Sequence, residues 1–203
     1  MLSFYELTDT EGLDFEKAME IYTEAFPAHE RPSIAIIKNR IRSGAEQLII
    51  GKQGDDVGLM ALLWKLQGTR FILLDFLATA ATYRGTGIGG KFMEFIKDWI
   101  IHQNENLLFE VEHPDFGENT EQRIKRIRFY DKYGAYTIKE VIYYLPDMEG
   151  GEPKEMLIMT IPAIDLDRNE LKQVVKAIYE QLYGLNEEDE PFKRFLRNLD
   201  LRF

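Results

Sequence analysis

Apolar positions recur along this chain with two periods. Residues 14–26, DFEKAMEIYTEAF, repeat every three to four positions. That spacing predicts a helix with Phe15, Met19, Ile21, Tyr22 and Phe26 on its buried side. Residues 33–43, SIAIIKNRIRS, predict a second helix, stopped at Gly44, and a loop from Pro27 to Pro32 separates the two. Strand-like runs stand at 2–8, 46–52, 57–66 and 70–79. The last three are joined by short turns, QGDD and QGT, and so predict an antiparallel meander. After residue 80 the order changes to a helix at 87–103, a strand at 106–112, a helix at 121–133 and strands at 135–144 and 154–162. Antiparallel strands followed by helical crossovers predict an α+β fold: a mixed, mostly antiparallel sheet flanked by helices.

The tail reads separately, which divides the chain into a domain at 1–163 and an extension at 164–203. Asp167 opens DRNELKQVVKAIYEQLYG with a capping-box pattern to Glu170 and a stripe of Leu171, Val174, Val175, Ile178 and Leu182. Acidic residues 187–190 follow, and Pro191 then starts a short aromatic helix. Packing on the sheet is the plainer use of these helices. A dimer arm, giving a homodimer, or a lid over a substrate is the sharper one.

The junction at residues 75–90, DFLATAATYRGTGIGG, carries the most specific chemistry. A strand runs into Arg84-Gly85-Thr86-Gly87-Ile88-Gly89-Gly90, and an amphipathic helix follows at once. Free N–H groups at a helix start and the positive end of its dipole suit a pyrophosphate. Glycines let the backbone come close, since a Cβ would hold the phosphate off. Arg84 adds a forked cation at the rim. Three cofactor codes overlap here. Gly85, Gly87 and Gly90 fit G-x-G-x-x-G, with Glu110 and Glu112 about 20 residues on, where a ribose-binding carboxylate stands in dinucleotide sites. Gly85 to Lys91 nearly spell a P-loop, but Phe92 replaces the magnesium-binding hydroxyl. The third code, Arg84-x-x-Gly87-x-Gly89, resembles the acetyl-CoA signature of the GCN5-related N-acetyltransferases, the GNAT family.

Residues 123–136, RIKRIRFYDKYGAY, favour the third code. Phe129-Tyr130-x-Lys132-x-Gly134-Ala135 resembles the second GNAT motif, at the family's spacing from the glycine loop. The resemblance covers residues 1 to about 163, and FPAHERP at 26–32 is similar to a segment of some bacterial members. Arg123 departs from the pattern, which often has a cofactor-contacting asparagine there. A Rossmann domain would instead alternate βαβ from the fingerprint onward.

The residues of this segment support the same choice. The chain has 25 basic and 35 acidic residues, net −10, yet residues 123–132 hold Arg123, Lys125, Arg126, Arg128 and Lys132 against Asp131 alone. Such an island suits an anion such as the 3′-phospho-ADP of coenzyme A; a solvated helix face is the plain alternative. Nucleic acid fits poorly with the global negative charge.

The resemblance implies an acetyl-CoA-dependent transfer of an acetyl group to an amine acceptor. Arg84, Gly85, Thr86, Gly87, Ile88, Gly89 and Gly90 would hold the cosubstrate, joined by Arg123, Arg126, Phe129, Tyr130 and Lys132. Leu77 matches the strand residue whose backbone stabilises the oxyanion, and Ala78 and Thr79 would line the pantetheine arm. Tyr130 matches the tyrosine that protonates the leaving thiolate, with Tyr133 as fallback. Glu30 and Arg31 fall where the family shapes its acceptor site. A base must also free the amine of a proton, because a lysine-like amine has a pKa of about 10.4. Asp75, inside the apolar FILLDFLA, and Glu110, in LLFEVE, are the two candidates, and a water chain is a third route.

Composition narrows the rest. No cysteine means no disulfide, thiolate nucleophile or Cys-ligated zinc, and His29, His102 and His113 show no metal spacing. No apolar run approaches the roughly 20 residues of a membrane span, and the start, MLSFYELTDTEG, is acidic rather than signal-like. A cytoplasmic protein is expected. Two other functions stay open: a non-catalytic acyl-CoA-binding module and a nicotinamide-dependent oxidoreductase.

Overall fold

The computed structural model describes residues 1–116, 119–138, 141, 143–145 and 154–202, the last three without side chains. Among these residues eight strands and six α-helices form two compact units, Met1–Lys65 with Leu73–Gln103, and Leu66–Ile72 with Asn104–Phe203.

The first unit holds β1 (Leu2–Glu6), α1 (Leu13–Ala25), α2 (Ile34–Arg42), β2 (Glu46–Gln53), most of β3 (Asp56–Leu66) and β4 (Phe71–Thr79), and α3 (Ile88–Gln103). The order β1-β2-β3-β4 is the predicted meander, with β1 added at its edge. Ser33 caps α2 by accepting the Ile36 N–H, as a serine before an apolar run should. Alternation along β2 sorts its neighbours. Leu48 and Ile50, with Met60 and Leu62 of β3, form one core with Phe15, Met19 and Tyr22 of α1 and Ile37 and Ile41 of α2. Phe4 stands opposite Gly51, stacks on Phe95 of α3 at 5.3 Å and meets Phe92 edge-on at 5.8 Å. A Cβ on Gly51 would lie 2.6 Å from the Phe4 ring, so that contact needs glycine.

In the second unit β8 (Lys154–Ile161) pairs antiparallel with β5 (Asn106–Glu112), and β6 (Tyr136–Thr137) and β7 (Tyr143–Leu145) also pair antiparallel with β8. The sequence predicts one strand over 135–144; among the described residues two short ones stand there. Tyr136 faces Thr160 while Tyr143 faces Met156. Seven residues forward on one side match four back on the other, so a single continuous register cannot hold. Residues 139, 140 and 142 of the expected strand lie outside the described residues.

α4 (Thr120–Lys132) packs on β5 through Tyr130 and Phe109, whose ring centroids are 4.4 Å apart. The tail folds as α5 (Arg168–Tyr183) and α6 (Glu190–Arg202). Asp167 and Glu170 form the predicted capping box, and all five stripe residues are buried. Tyr179 of α5 stacks on Tyr143 at 5.4 Å and donates to the Tyr144 carbonyl at 2.7 Å. Arg194 of α6 lies 3.9 Å over the Tyr144 ring. The tail helices therefore pack on β7 within their own unit.

Candidate active site

The glycine loop is built as the sequence predicts, with one difference in why glycine is needed. β4 ends at Thr79, a 3-10 turn spans Ala81–Tyr83, and α3 starts at Ile88. Gly85 and Gly87 have φ of +78° and +86°, a region open to glycine at little cost. A Cβ on either would meet open space in the protein. Conformation therefore demands these glycines, and the space before them leaves room for a phosphate group. The first bond at the start of α3 runs from the Lys91 N–H to the Gly87 carbonyl, 3.1 Å. A helix start leaves its first N–H groups without helical acceptors, and here they belong to Ile88, Gly89 and Gly90. Residues 84–87 are exposed. The loop thus fits an anionic group.

Two supports of the loop are not evident from its own sequence. Gly58 of β3 accepts the Ala80 N–H at 3.0 Å, and a Cβ there would stand 2.9 Å from the Tyr83 ring and 3.0 Å from Ile88 Cδ1. Gly58 seats the turn by lacking a side chain. Arg84, the expected cation at the rim, donates to Glu24 of α1 at 2.8 Å, an exposed pair.

Leu77, Ala78 and Thr79 end β4, with Ala78 in the core and the other two half-buried. Asp75, on the same strand, has a neighbour that the sequence did not suggest. Glu46, the first residue of β2, is 1 % exposed, and neither of its carboxyl oxygens has a hydrogen-bond partner. Burial pushes the Glu46 carboxyl well above the ordinary range, and the Asp75 charge pushes it further, while Arg40 pulls it back. Burial raises Asp75 in the same direction against the same Arg40. Arg40 sits over the Trp64 ring at 4.9 Å, and Trp64 is the register partner of Glu46. Tyr22 feels both carboxyls, which raise its phenol beyond what burial does, and its hydroxyl donates to the Pro32 carbonyl at 3.1 Å. Arg31, of the expected acceptor loop, lies 5.4 Å over the Tyr22 ring and donates to the Phe26 carbonyl at 2.8 Å. Glu30, beside it, lies within 3.6 Å of His29.

In the second unit Tyr130 is buried against Phe109 and Phe129, and burial raises its phenol despite Arg126. It therefore stays protonated at working pH, as a proton donor must. Phe129 also touches Tyr133, whose ring carries Lys132 at 5.5 Å. Glu110 stands among tyrosines: its charge raises both Tyr143 of β7 and Tyr179 of α5, after burial. The basic island is less bare than its sequence suggests. Glu112 is met by Arg123 at 3.4 Å and Arg126 at 3.5 Å, and Lys125 lies 3.6 Å from Glu121. Arg123 also donates to the His113 carbonyl at 3.2 Å. Both acids that a dinucleotide reading would give to a ribose thus have other company.

Comparison with known proteins follows this geometry. No family model matches the chain. A Bacillus subtilis (strain 168) protein provisionally named an acetyltransferase, YjbC, is 26 % identical over 169 residues, 83 % of this chain and 82 % of the relative. Among solved structures, a Bacteroides thetaiotaomicron protein provisionally assigned to the GNAT family aligns with a TM-score of 0.76 at 22 % identity, over 91 % of this chain and 99 % of the other. A GNAT family acetyltransferase from Elizabethkingia anophelis, solved with acetyl-CoA bound, aligns at 0.55 and 13 % identity over 80 % and 98 %. The structural likenesses establish the fold, and the curated relative supports an acetyltransferase enzyme. Together with the order of the two sequence motifs, they bear out the resemblance: this chain has the fold of the GNAT acetyltransferases.

Proposed function

We propose that the protein is an acetyl-CoA-dependent N-acetyltransferase that moves the acetyl group directly to a primary amine, in the cytoplasm. The observation that carries this is the glycine turn. Two left-handed glycines bring a helix start, with its N–H groups, to an exposed loop with open space before it. Acetyl-CoA bound to the relative from Elizabethkingia supports the choice of cosubstrate.

Each expected residue then has a task. Arg84, Gly85, Thr86, Gly87, Ile88, Gly89 and Gly90 hold the pyrophosphate, and Arg123, Arg126, Phe129 and Lys132 help to bind the cosubstrate. The Leu77 backbone steadies the oxyanion, and Ala78 and Thr79 line the pantetheine. Asp75 takes a proton from the amine, because a carboxyl held above its usual range is a fitting base near neutrality. The amine lone pair attacks the thioester carbonyl and the C–S bond breaks; Tyr130 protonates the thiolate, and the proton that the new amide nitrogen sheds restores the phenol. Glu110 remains the alternative base.

Release of free thiol from acetyl-CoA, followed across a panel of primary amines, tests the proposal. Amine-dependent release with an acetylated product is expected. Acetyl-CoA binding without turnover on any amine would point to a binding module instead.

A further inference from the structure

We propose that Arg31 anchors a carboxylate of the acceptor, so that the acceptor is a primary amine that also carries a carboxylate and an apolar body. The inference rests on the acetyltransferase reading, which puts the reacting carbonyl beside Leu77, and adds a substrate class to it.

Arg31 follows the 3-10 turn Ala28–Glu30 in the loop between α1 and α2. Its guanidinium is fixed at two points. The Nε–H donates to the Phe26 carbonyl at 2.8 Å, and the group lies 5.4 Å over the Tyr22 ring. The loop is pinned on both sides of it. The Glu30 N–H donates to the Pro27 carbonyl at 3.0 Å, and the Tyr22 hydroxyl donates to the Pro32 carbonyl at 3.1 Å. The prolines at both ends restrict the backbone further. A ligand therefore has little freedom left to remove here, which favours binding.

The end of the guanidinium is unused. With Nε engaged, the N–H donors of the two terminal nitrogens remain. No acid pairs with Arg31 among the described residues. Arg42, Arg84 and Arg123, by contrast, are met by Glu11, Glu24 and Glu112. Arg31 is half-buried, and an arginine keeps its charge there, so it stands as an unpaired cation. Two parallel N–H groups at its end match the two oxygens of a carboxylate.

Apolar surface adjoins this fork. Phe26 and Phe76 meet Tyr22 at 5.6 and 5.1 Å, and each other edge-on at 4.8 Å. Tyr22 is buried, while Phe26 and Phe76 keep part of their surface exposed. Phe76 precedes Leu77, so the rings lead from the fork toward the expected oxyanion residue. A ligand lying on them puts its carboxylate at Arg31 and its amine toward Leu77. The Asp75 and Glu46 charges act on the same Tyr22, and they oppose a doubly charged anion more than a carboxylate.

The test is NMR of the full chain, following the Arg31 Nε resonance during titration with phenylacetate. Phenylacetamide is the uncharged control, and inorganic phosphate is the control for a general anion site. Acetyl-CoA affinity is measured in parallel. A saturable shift with phenylacetate and none with the amide is expected, and phosphate should bind more weakly. Arg31→Gln should weaken phenylacetate binding, read by calorimetry, by roughly 10- to 100-fold, as expected for one charge-assisted contact. Arg31→Lys, which keeps the charge without the fork, should restore only part of it. Neither should change acetyl-CoA affinity. Phenylacetate should also inhibit transfer competitively with the amine and not with acetyl-CoA. Four results overturn the proposal: equal response to phenylacetate and its amide, phosphate binding as tight as phenylacetate, unchanged affinity in Arg31→Gln, or competition with acetyl-CoA. The parent titration decides by itself if a variant does not fold. Absence of acetyl-CoA binding overturns the proposed function instead, and the two failures are read on separate titrations.

Discussion

Asp75 and Glu110 make the same signal in the sequence and have different surroundings in the structure. Each is an acid within a nearly apolar strand, one in each compact unit. Asp75 meets a second carboxyl, Glu46, and one guanidinium, Arg40. Glu110 meets phenols, Tyr143 and Tyr179, both held protonated by burial and by its charge. A carboxyl beside a carboxyl is poised to exchange a proton near neutrality. A carboxyl among phenols has its charge felt by β7 and by the tail helix α5, whose hydroxyls stay protonated. An acid in an apolar strand therefore marks a costly position, but its task is set by side chains far away in sequence.

The largest effect should separate these two acids. Asp75→Asn is expected to lower turnover by roughly 10²–10⁴ and to flatten the acidic limb of the pH–rate profile, which reports the base. Glu110→Gln should keep that limb and act on stability. The reverse outcome would exchange their roles. An effect of similar size, roughly 10²–10⁴ on turnover with acetyl-CoA affinity kept, is expected of Tyr130→Phe where chemistry limits the rate. An unchanged rate would shift proton donation to Tyr133 or to water.

A smaller effect distinguishes the loop from both acids. Gly87→Val places a branched residue at φ +86°. It should lose acetyl-CoA binding and also cost about 1–3 kcal/mol in strain, seen as a lower Tm. A folded variant with parental affinity would displace the cosubstrate from the loop.

The smallest effect sharpens the carboxyl pair. A carboxyl whose pKa is raised on folding stabilises the fold fully below its unfolded value and loses that contribution as pH rises through the folded value. For Glu46 the loss should begin above 4.5, its ordinary value, and extend upward toward neutrality. Glu46→Gln removes the loss. Its stability should therefore fall less than the parent's between pH 4.5 and 8, by about 1 kcal/mol or more. Parallel stability–pH curves for the two proteins would show that Glu46 keeps its ordinary pKa.

What the sequence made legible was local. The glycine turn, the capping box at Asp167 and the tail stripe each depend on residues within a few positions of one another. The strand positions and the meander also follow from short-range alternation. Glu46 was not legible, because β2 buries residues of both parities, Leu48 and Ile50 as well as Ile49 and Gly51. No alternation marks its first residue as inward. Gly58 was hidden for a similar reason: nothing near it in sequence announces the Tyr83 ring that it admits. The expected strand over 135–144 reads as one run because its register is set by β8, about twenty residues later. The basic island was legible as charge, but its pairing with Glu112 across α4 and β5 was not.

Thermal-shift measurement with acetyl-CoA, CoA, NAD and NADP tests the central claim most directly. Stabilisation by acetyl-CoA and CoA and not by the nicotinamides, lost in Gly87→Val, is the predicted result. Stabilisation by NAD or NADP alone, or by none of the four, would contradict it.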